Sequence, residues 1–344
     1  MRNIETTKGE SLAVGDLPEG CKKCIAGRKS VLFVTGKCNQ KCWYCTISEG
    51  RWQKDITWIN EKLVRTDDDI VNEIRLSDSK GMGITGGEPL LFPDRVVHYI
   101  KLVKKEFGKN FHVHIYTSGI DIDPKILKQL HEAGLDEIRI HTNKELVKEA
   151  SKYGWKFGME VPCIPGDEKK LCELVDFLDE LGADVFNLNE LEFSERNIPN
   201  MKQYDLKDNS LTAVEGSEET AKKVLEYARS KKLNVHYCTA ALKMNYQLRN
   251  RLYNRATNIR KPFEKVNKDG MLLKGVIIGD TQKILAKLKK LGVKEDQFFV
   301  NPIRGRVDTS IPVAKRLRKS EFKVAVVEEY PTEDPWDFEL TPLN

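Results

Sequence analysis

The chain has 344 residues, of which 40% are hydrophobic and 32% charged, and carries a formal net charge of +5. At the usual ~150 residues per domain this is length for about two domains, each able to bury a core. No run approaches the ~20 apolar residues of a spanning helix, which excludes a helical membrane protein. The polar start, Met1 to Ser11, lacks the apolar stretch of a secretory signal, so a cytoplasmic location is expected. In a reducing compartment the eight cysteines are expected to be ligands, catalysts or core residues rather than a disulfide framework.

From Val31 onward, short β-branched or apolar runs alternate with segments of helical period. Strands are expected at Val31–Thr35, Met82–Thr85, Val113–Thr117, Glu137–His141, Phe157–Pro162, Val185–Leu191 and Leu233–Cys238. Helices are expected between them at Asp67–Ser77, Pro93–Phe107, Pro124–Ala133, Lys144–Tyr153, Glu168–Leu181 and Ser217–Ser230. Such alternation predicts parallel βαβ units that curl into a full or partial barrel. In that architecture chemistry gathers at the carboxyl ends of the strands. After Cys238 the pattern changes: Thr239 to Phe263 holds six basic residues (Lys243, Arg249, Arg251, Arg255, Arg260, Lys261) and no acidic one. Leu272–Ile278, Thr281–Leu291, Gln297–Val300 and Phe322–Val327 then suggest a small strand–helix–strand domain with an ill-determined tail. Three parts are expected: an amino-terminal extension over 1–30, a barrel over 31–240, and a basic helical segment with a small α/β domain over 241–344.

Residues 239–319 hold 20 Lys/Arg against 6 Asp/Glu, so the remainder of the chain is net acidic. A basic segment on an acidic protein suits a polyanion such as tRNA or other RNA, or simply forms a solvated face. Tyr246 and Tyr253, among the arginines, could stack on bases or pack as helix residues.

Directly after the first expected strand, Cys38, Cys42 and Cys45 form a C-x3-C-x2-C spacing. Core cysteines follow a strand or helix period, and this trio follows neither. Three thiolates can hold one cubic iron–sulfur cluster and leave one iron open, whereas structural zinc wants four protein ligands. One strand later, Gly86-Gly87-Glu88-Pro89 supplies two glycines that let backbone approach a ligand and a carboxylate that matches an ammonium.

Together these segments resemble the radical S-adenosylmethionine (SAM) superfamily, with an aromatic, Tyr44, before the last cysteine. The match of Gly20-Cys21-Lys22-Lys23-Cys24, Asn187 to Glu192, His236-Tyr237-Cys238 and Gln247 to Leu252 is closer to an archaeal group related to pyruvate formate-lyase activating enzymes. The resemblance implies a partial (β/α)6-type barrel and a [4Fe-4S] cluster on Cys38, Cys42 and Cys45. It implies that Glu88, with the backbone of Gly86 and Gly87, holds the SAM ammonium. It further implies reductive cleavage of SAM to a 5'-deoxyadenosyl radical that takes hydrogen from a substrate, with ferredoxin or flavodoxin as electron donor. The chemistry follows from it and the substrate does not.

Polar residues at the ends of later strands are candidates for the SAM carboxylate and ribose: Thr117, Ser118, Arg139, His141, Asn143 and Asn189, with Glu160, Asn187 and Glu190 beside them. Asn187 and Asn189 share a face of their strand, and Glu190 has the other. Cys21, Cys24, His236 and Cys238 form a possible second metal site, zinc or an auxiliary cluster, if barrel curvature brings them together. Cys163 and Cys172 read as packing residues, and His98, His112, His114 and His131 as structural. Three functions are compared: RNA modification, modification of a protein or peptide such as glycyl-radical activation, and a non-enzymatic iron–sulfur carrier or RNA-binding module. The Gly86–Pro89 turn argues against the last, since a carrier needs no ammonium site.

Overall fold

His112, His114 and Tyr116 alternate with Val113, Ile115 and Thr117 along one strand, so one face of the sheet is polar and the other mostly apolar. That pattern recurs on neighbouring strands and sets the architecture of the computed structural model, which describes residues 1–344. The chain forms two units, Met1–Arg75 with Ser79–Leu248, and Leu76–Asp78 with Arg249–Asn344.

The first unit runs β1 (Ile4–Thr6), β2 (Leu12–Val14), α1 (Glu19–Ile25), β3 (Lys29–Phe33), β4 (Trp58–Ile59), β5 (Lys62–Leu63), α2 (Asp67–Leu76), β6 (Gly81–Thr85), α3 (Pro93–Phe107), β7 (His112–Thr117), α4 (Lys125–Ala133), β8 (Glu137–Ile140), α5 (Lys144–Ala150), β9 (Lys156–Cys163), α6 (Glu168–Glu180), β10 (Val185–Glu190), α7 (Ser217–Ala228), β11 (Asn234–Cys238) and α8 (Ala240–Leu242). Its sheet has the order β1-β2-β11-β10-β9-β8-β7-β6-β3-β4-β5. From β3 to β11 every neighbouring pair is parallel. Antiparallel additions finish both edges, β4 on β3 and β2 on β11. The two edges do not pair with each other, so the barrel is partial.

The apolar face, with Ile115, Ile138, Ile140, Met159, Phe186, Leu188 and Tyr237, is buried in one core with α3, α4, α6 and α7. Each fully buried Ile or Leu there contributes roughly 1.5–3 kcal/mol, so this face holds the unit together. The opposite face lines a polar lumen. Residues 1–30 are not an extension: β1 and β2 continue the sheet, and α1 lies against the lumen face, where Cys21 Sγ accepts from Arg139 Nη2 at 3.4 Å. Two-strand hairpins this short carry too few residues for a period to be read from sequence.

A π-helical turn, Lys243–Leu248, closes the first unit. The second holds α9 (Arg249–Ile259), β12 (Lys265–Val266), β13 (Leu272–Ile278), α10 (Thr281–Lys290), β14 (Phe298–Asn301), β15 (Arg306–Thr309), α11 (Ile311–Arg316), β16 (Lys323–Glu329) and β17 (Asp337–Pro342). The order β14-β15-β13-β16-β17 is antiparallel throughout. The tail is thus an edge strand; its apolar Phe338 and Leu340 are exposed, so burial period gives no sign of it. The strand β15 hides for a different reason: Arg306 and Asp308 are buried charges. Arg306 Nε donates to Asp308 at 2.7 Å and Nη2 to Glu329 at 3.0 Å, and Lys274 Nζ donates to Glu329 at 2.6 Å and Glu264 at 3.0 Å. Buried charges are tolerated only with such partners.

Candidate active site

After β3 the chain enters the cysteine loop. Its neck is pinned by Gly36 N–H donating to the Lys54 carbonyl at 2.8 Å and Gln53 N–H donating to the Gly36 carbonyl at 2.9 Å. Within it Cys38, Cys42 and Cys45 are free, half-buried thiols. Gln53 Nε2 donates to the Cys38 carbonyl at 2.8 Å, and Asn39 Nδ2 to the Ile120 carbonyl at 3.3 Å. On its far side the segment between β10 and α7 clasps the loop: Trp43 stacks on Tyr204 at 5.7 Å, and Asn197 Nδ2 donates to the Tyr44 carbonyl at 3.1 Å. Burial pushes the Cys38 and Cys42 thiols above the usual cysteine range, and neighbouring thiols of the trio push both further.

The turn after β6 touches this loop through backbone alone. Gly87 N–H donates to the Thr35 carbonyl at 2.7 Å and Glu88 N–H to the Lys37 carbonyl at 2.9 Å. A Cβ on Gly86 would stand 2.6 Å from the Thr35 oxygen, and one on Gly87 2.3 Å from that of Lys37. Only glycine fits at either position. The Glu88 carboxylate is fully buried and already satisfied. One oxygen accepts from Thr117 Oγ1 at 2.7 Å and Leu90 N–H at 3.0 Å, the other from Ser118 N–H at 2.7 Å and Ser118 Oγ at 2.6 Å. Glu88 therefore braces the end of β7, and Thr117 and Ser118, expected as cofactor contacts, are its partners. What this turn offers an ammonium is the backbone of Gly86 and Gly87.

Tyr44 leaves the loop towards β8. Its hydroxyl donates to His141 Nε2 at 2.6 Å, while His141 Nδ1 donates to the Glu160 carbonyl at 2.8 Å, which sets the tautomer. Burial lowers the His141 imidazole, keeping it neutral, and raises the Tyr44 hydroxyl. Asn143 caps α5, accepting from Leu146 N–H at 3.1 Å.

Deeper in the lumen one hydrogen-bonded chain crosses four strands. His236 Nδ1 donates to Asn187 Oδ1 at 2.7 Å, Asn187 Nδ2 to Asn189 Oδ1 at 3.3 Å, and Asn189 Nδ2 to Glu160 Oε1 at 2.8 Å. Arg139 then bridges Glu160 (Nη1, 2.8 Å) and Glu137 (Nε, 2.5 Å). This corrects the expectation for Arg139. Its guanidinium is 2% exposed and engaged at all three nitrogens, with Cys21 as the third partner, so it holds the lumen together and is not a ligand for the SAM carboxylate. Asn189 remains half-buried in the lumen. Glu190 faces the other way, accepting from Tyr237 Oη at 2.9 Å and Ala240 N–H at 2.7 Å.

The second metal set is not assembled for a single ion. Cys21, Cys24, His236 and Cys238 share the lumen, and burial raises the Cys238 thiol, with a smaller push from those of Cys24 and Cys21. Their ligand atoms do not converge within 4.8 Å, whereas those of His112, His114 and Glu137 do. Cys163 is in the core, its thiol donating to the Ser217 carbonyl at 3.3 Å, and burial pushes it up to about 12. The roles of His112, His114, Glu137 and Tyr116 in the lumen were missed from sequence, although polar residues two apart on adjacent strands were the signal.

Three free thiols in a loop without a fourth suit a cubane with one iron left open, and a bare glycine backbone beside them gives a small zwitterion somewhere to dock. That combination defines a radical SAM enzyme. Residues 32–144 match the radical SAM superfamily model, and residues 270–343 a domain of unknown function (DUF8061). The chain belongs to the radical SAM superfamily, in its part related to activating enzymes: a Methanocaldococcus jannaschii protein provisionally named a glycyl-radical enzyme activating enzyme is 39% identical over 95% of this chain and 93% of its own length. A Lactiplantibacillus plantarum GTP 3',8-cyclase is 38% identical over 112 residues, 32% of this chain and 31% of that one. Among solved structures, Streptococcus suis SuiB bound to its precursor peptide SuiA has a TM-score of 0.47 at 17% identity, covering 62% of this chain and 48% of that one. Methylornithine synthase (PylB) has a TM-score of 0.42 at 12% identity, covering 81% and 90%. No helix is long and apolar enough to cross a membrane. The [4Fe-4S] cluster and SAM together supply one-electron cleavage of the sulfonium to a 5'-deoxyadenosyl radical.

Proposed function

We propose that this enzyme removes a hydrogen atom from a polypeptide, as an activase that creates a glycyl radical on a partner protein. The observation that carries this reading is the 39% identity over nearly the whole of both chains with a relative so named. Cys38, Cys42 and Cys45 would hold the cluster as thiolates. Tyr44 and His141 hold the loop against β8, and the loop with the Trp43–Tyr204 stack screens the reaction from water. The backbone of Gly86 and Gly87 receives the SAM ammonium, and Asn189 is left to meet its ribose or carboxylate. The chemistry that cluster and SAM would supply is one-electron breakage of the S–C5' bond of SAM, with methionine released and the hydrogen of a partner glycine Cα–H bond passing to 5'-deoxyadenosine. The electron comes from a one-electron donor of the ferredoxin or flavodoxin class.

Only part of the basic segment is withdrawn from a phosphate backbone. Lys243 is ion-paired with Glu192. Arg251 and Arg255 are buried, with Arg255 donating to the Pro331 carbonyl, and Lys274 and Arg306 are buried among carboxylates. Lys283, Lys287, Lys289 and Lys290 of α10, and Lys315, Arg316, Arg318 and Lys319, stay exposed, so the preference for a polypeptide rests on the relative and not on the charge. The test is anaerobic turnover with extract from cells grown on Cα-deuterated glycine, fractionated into protein and RNA. Deuterium in 5'-deoxyadenosine from the protein fraction is expected. Hydrogen drawn only from RNA would overturn the reading.

A further inference from the structure

We propose a divalent transition-metal site at the amino-terminal end of the lumen, separate from the cysteine loop, with His112, His114 and Glu137 as ligands. Their ligand atoms lie within 4.8 Å of one another. His112 and His114 sit two apart on β7 and so share its lumen face. Glu137 opens β8 in register with His114. All three are buried, at 8%, 0% and 0% exposure.

Their hydrogen bonding is what singles them out. His112 Nε2, His114 Nδ1 and Glu137 Oε2 are buried without a hydrogen-bond partner, an arrangement folded proteins rarely leave unexplained. His112 Nε2 stands 3.4 Å from Glu137 Oε2, within ion-pair reach but outside hydrogen-bond geometry. The remaining polar atoms of two ligands are fixed from behind: His114 Nε2 is 3.0 Å from Tyr116 Oη, and Glu137 Oε1 accepts from Arg139 Nε at 2.5 Å. Orientation of that kind is what metal-binding imidazoles and carboxylates have in their outer shell. On the open side α1 brings Gly20. A Cβ there would stand 2.8 Å from His114 Nδ1, so its absence keeps that nitrogen clear.

Two imidazole nitrogens and one carboxylate oxygen suit Zn2+ or Fe2+ better than Mg2+ or Ca2+, which prefer oxygen alone. The buried cations Lys29 and Arg139 face the same lumen and oppose the ion, so its affinity falls short of a thiolate site. The ion would tie β7 to β8 at the opposite ends of the strands from Glu88 and the cysteine loop, which makes it a structural staple.

The test uses the reconstituted full-length enzyme equilibrated with Zn2+ and desalted. One zinc per chain is expected beyond the iron and sulfide of the cluster, with zinc-edge X-ray absorption showing nitrogen and oxygen neighbours only. His112→Gln, at the rim of the lumen, and the isosteric Glu137→Gln are each expected to cut zinc retention by more than about tenfold while leaving iron and sulfide unchanged. No zinc in the wild type, zinc with sulfur neighbours, or equal zinc in both variants would overturn the proposal.

Discussion

Tyr44 donates its hydroxyl to His141 Nε2 at 2.6 Å, and this one bond joins the cysteine loop to the end of β8. Loop and barrel are also linked by backbone contacts, by the Asn39 and Asn197 side-chain amides on the Ile120 and Tyr44 carbonyls, and by packing of Trp43 and Tyr44 against Leu191, Met201 and Val214. The hydroxyl thus sets where the loop stands, while the ring decides whether it stays folded.

Tyr44→Phe keeps the ring and its edge contact with Trp43 at 5.2 Å and removes the bond. A buried hydrogen bond is worth about 1 kcal/mol net, roughly a fivefold effect. The expected result is unchanged iron content with 5'-deoxyadenosine formation slowed about fivefold, measured under saturating reductant. A wild-type rate would show that the bond does not position the loop.

Glu88→Gln keeps the shape of a side chain that accepts from four donors. An amide turns an NH2 towards two of them, leaving buried donors opposed, at a cost of about 1–3 kcal/mol. Apo-protein melting should fall by several degrees and SAM binding should weaken, because the same turn carries Gly86 and Gly87. Melting at the wild-type temperature would mean the clamp is dispensable.

Cluster assembly should depend on pH with a definite sign. Burial raises the Cys38 and Cys42 thiols, so fewer are thiolates at neutral pH than in an exposed peptide, and iron must displace their protons. Anaerobic reconstitution followed by cubane absorbance should therefore be faster at pH 8.5 than at pH 7. A flat or inverted profile would contradict protonated thiols in the apo loop.

Cys163 should be inert. With its thiol pushed up to about 12 by burial it has almost no thiolate near neutrality. Iodoacetamide followed by peptide mapping should leave Cys163 unlabelled in the native protein and label it after unfolding. Native labelling at the rate of Cys172 would show that the core around it opens.

Much of this was readable from sequence where chemistry is local. The cysteine spacing and the Gly86–Glu88 turn lie in short continuous segments, and the parallel strands follow hydrophobic runs. What escaped depends on partners distant in sequence. That Arg139 faces Glu160 and Cys21 depends on α1 lying in the lumen, and that Thr117 and Ser118 hold Glu88 depends on how two loops meet. The tail strand Asp337–Pro342 escaped because its apolar residues face solvent.

The chain of side chains from His236 to Glu137 has a bearing on strand registry. Each member belongs to one of β8, β9, β10 and β11, and meets its neighbour only while those strands keep their present alignment. Sliding any one of them by a single position would thrust an ion or an amide among the hydrocarbon side chains beneath the helices. A sheet without closure has few means of refusing such slippage, and here the refusal is written across its concave side.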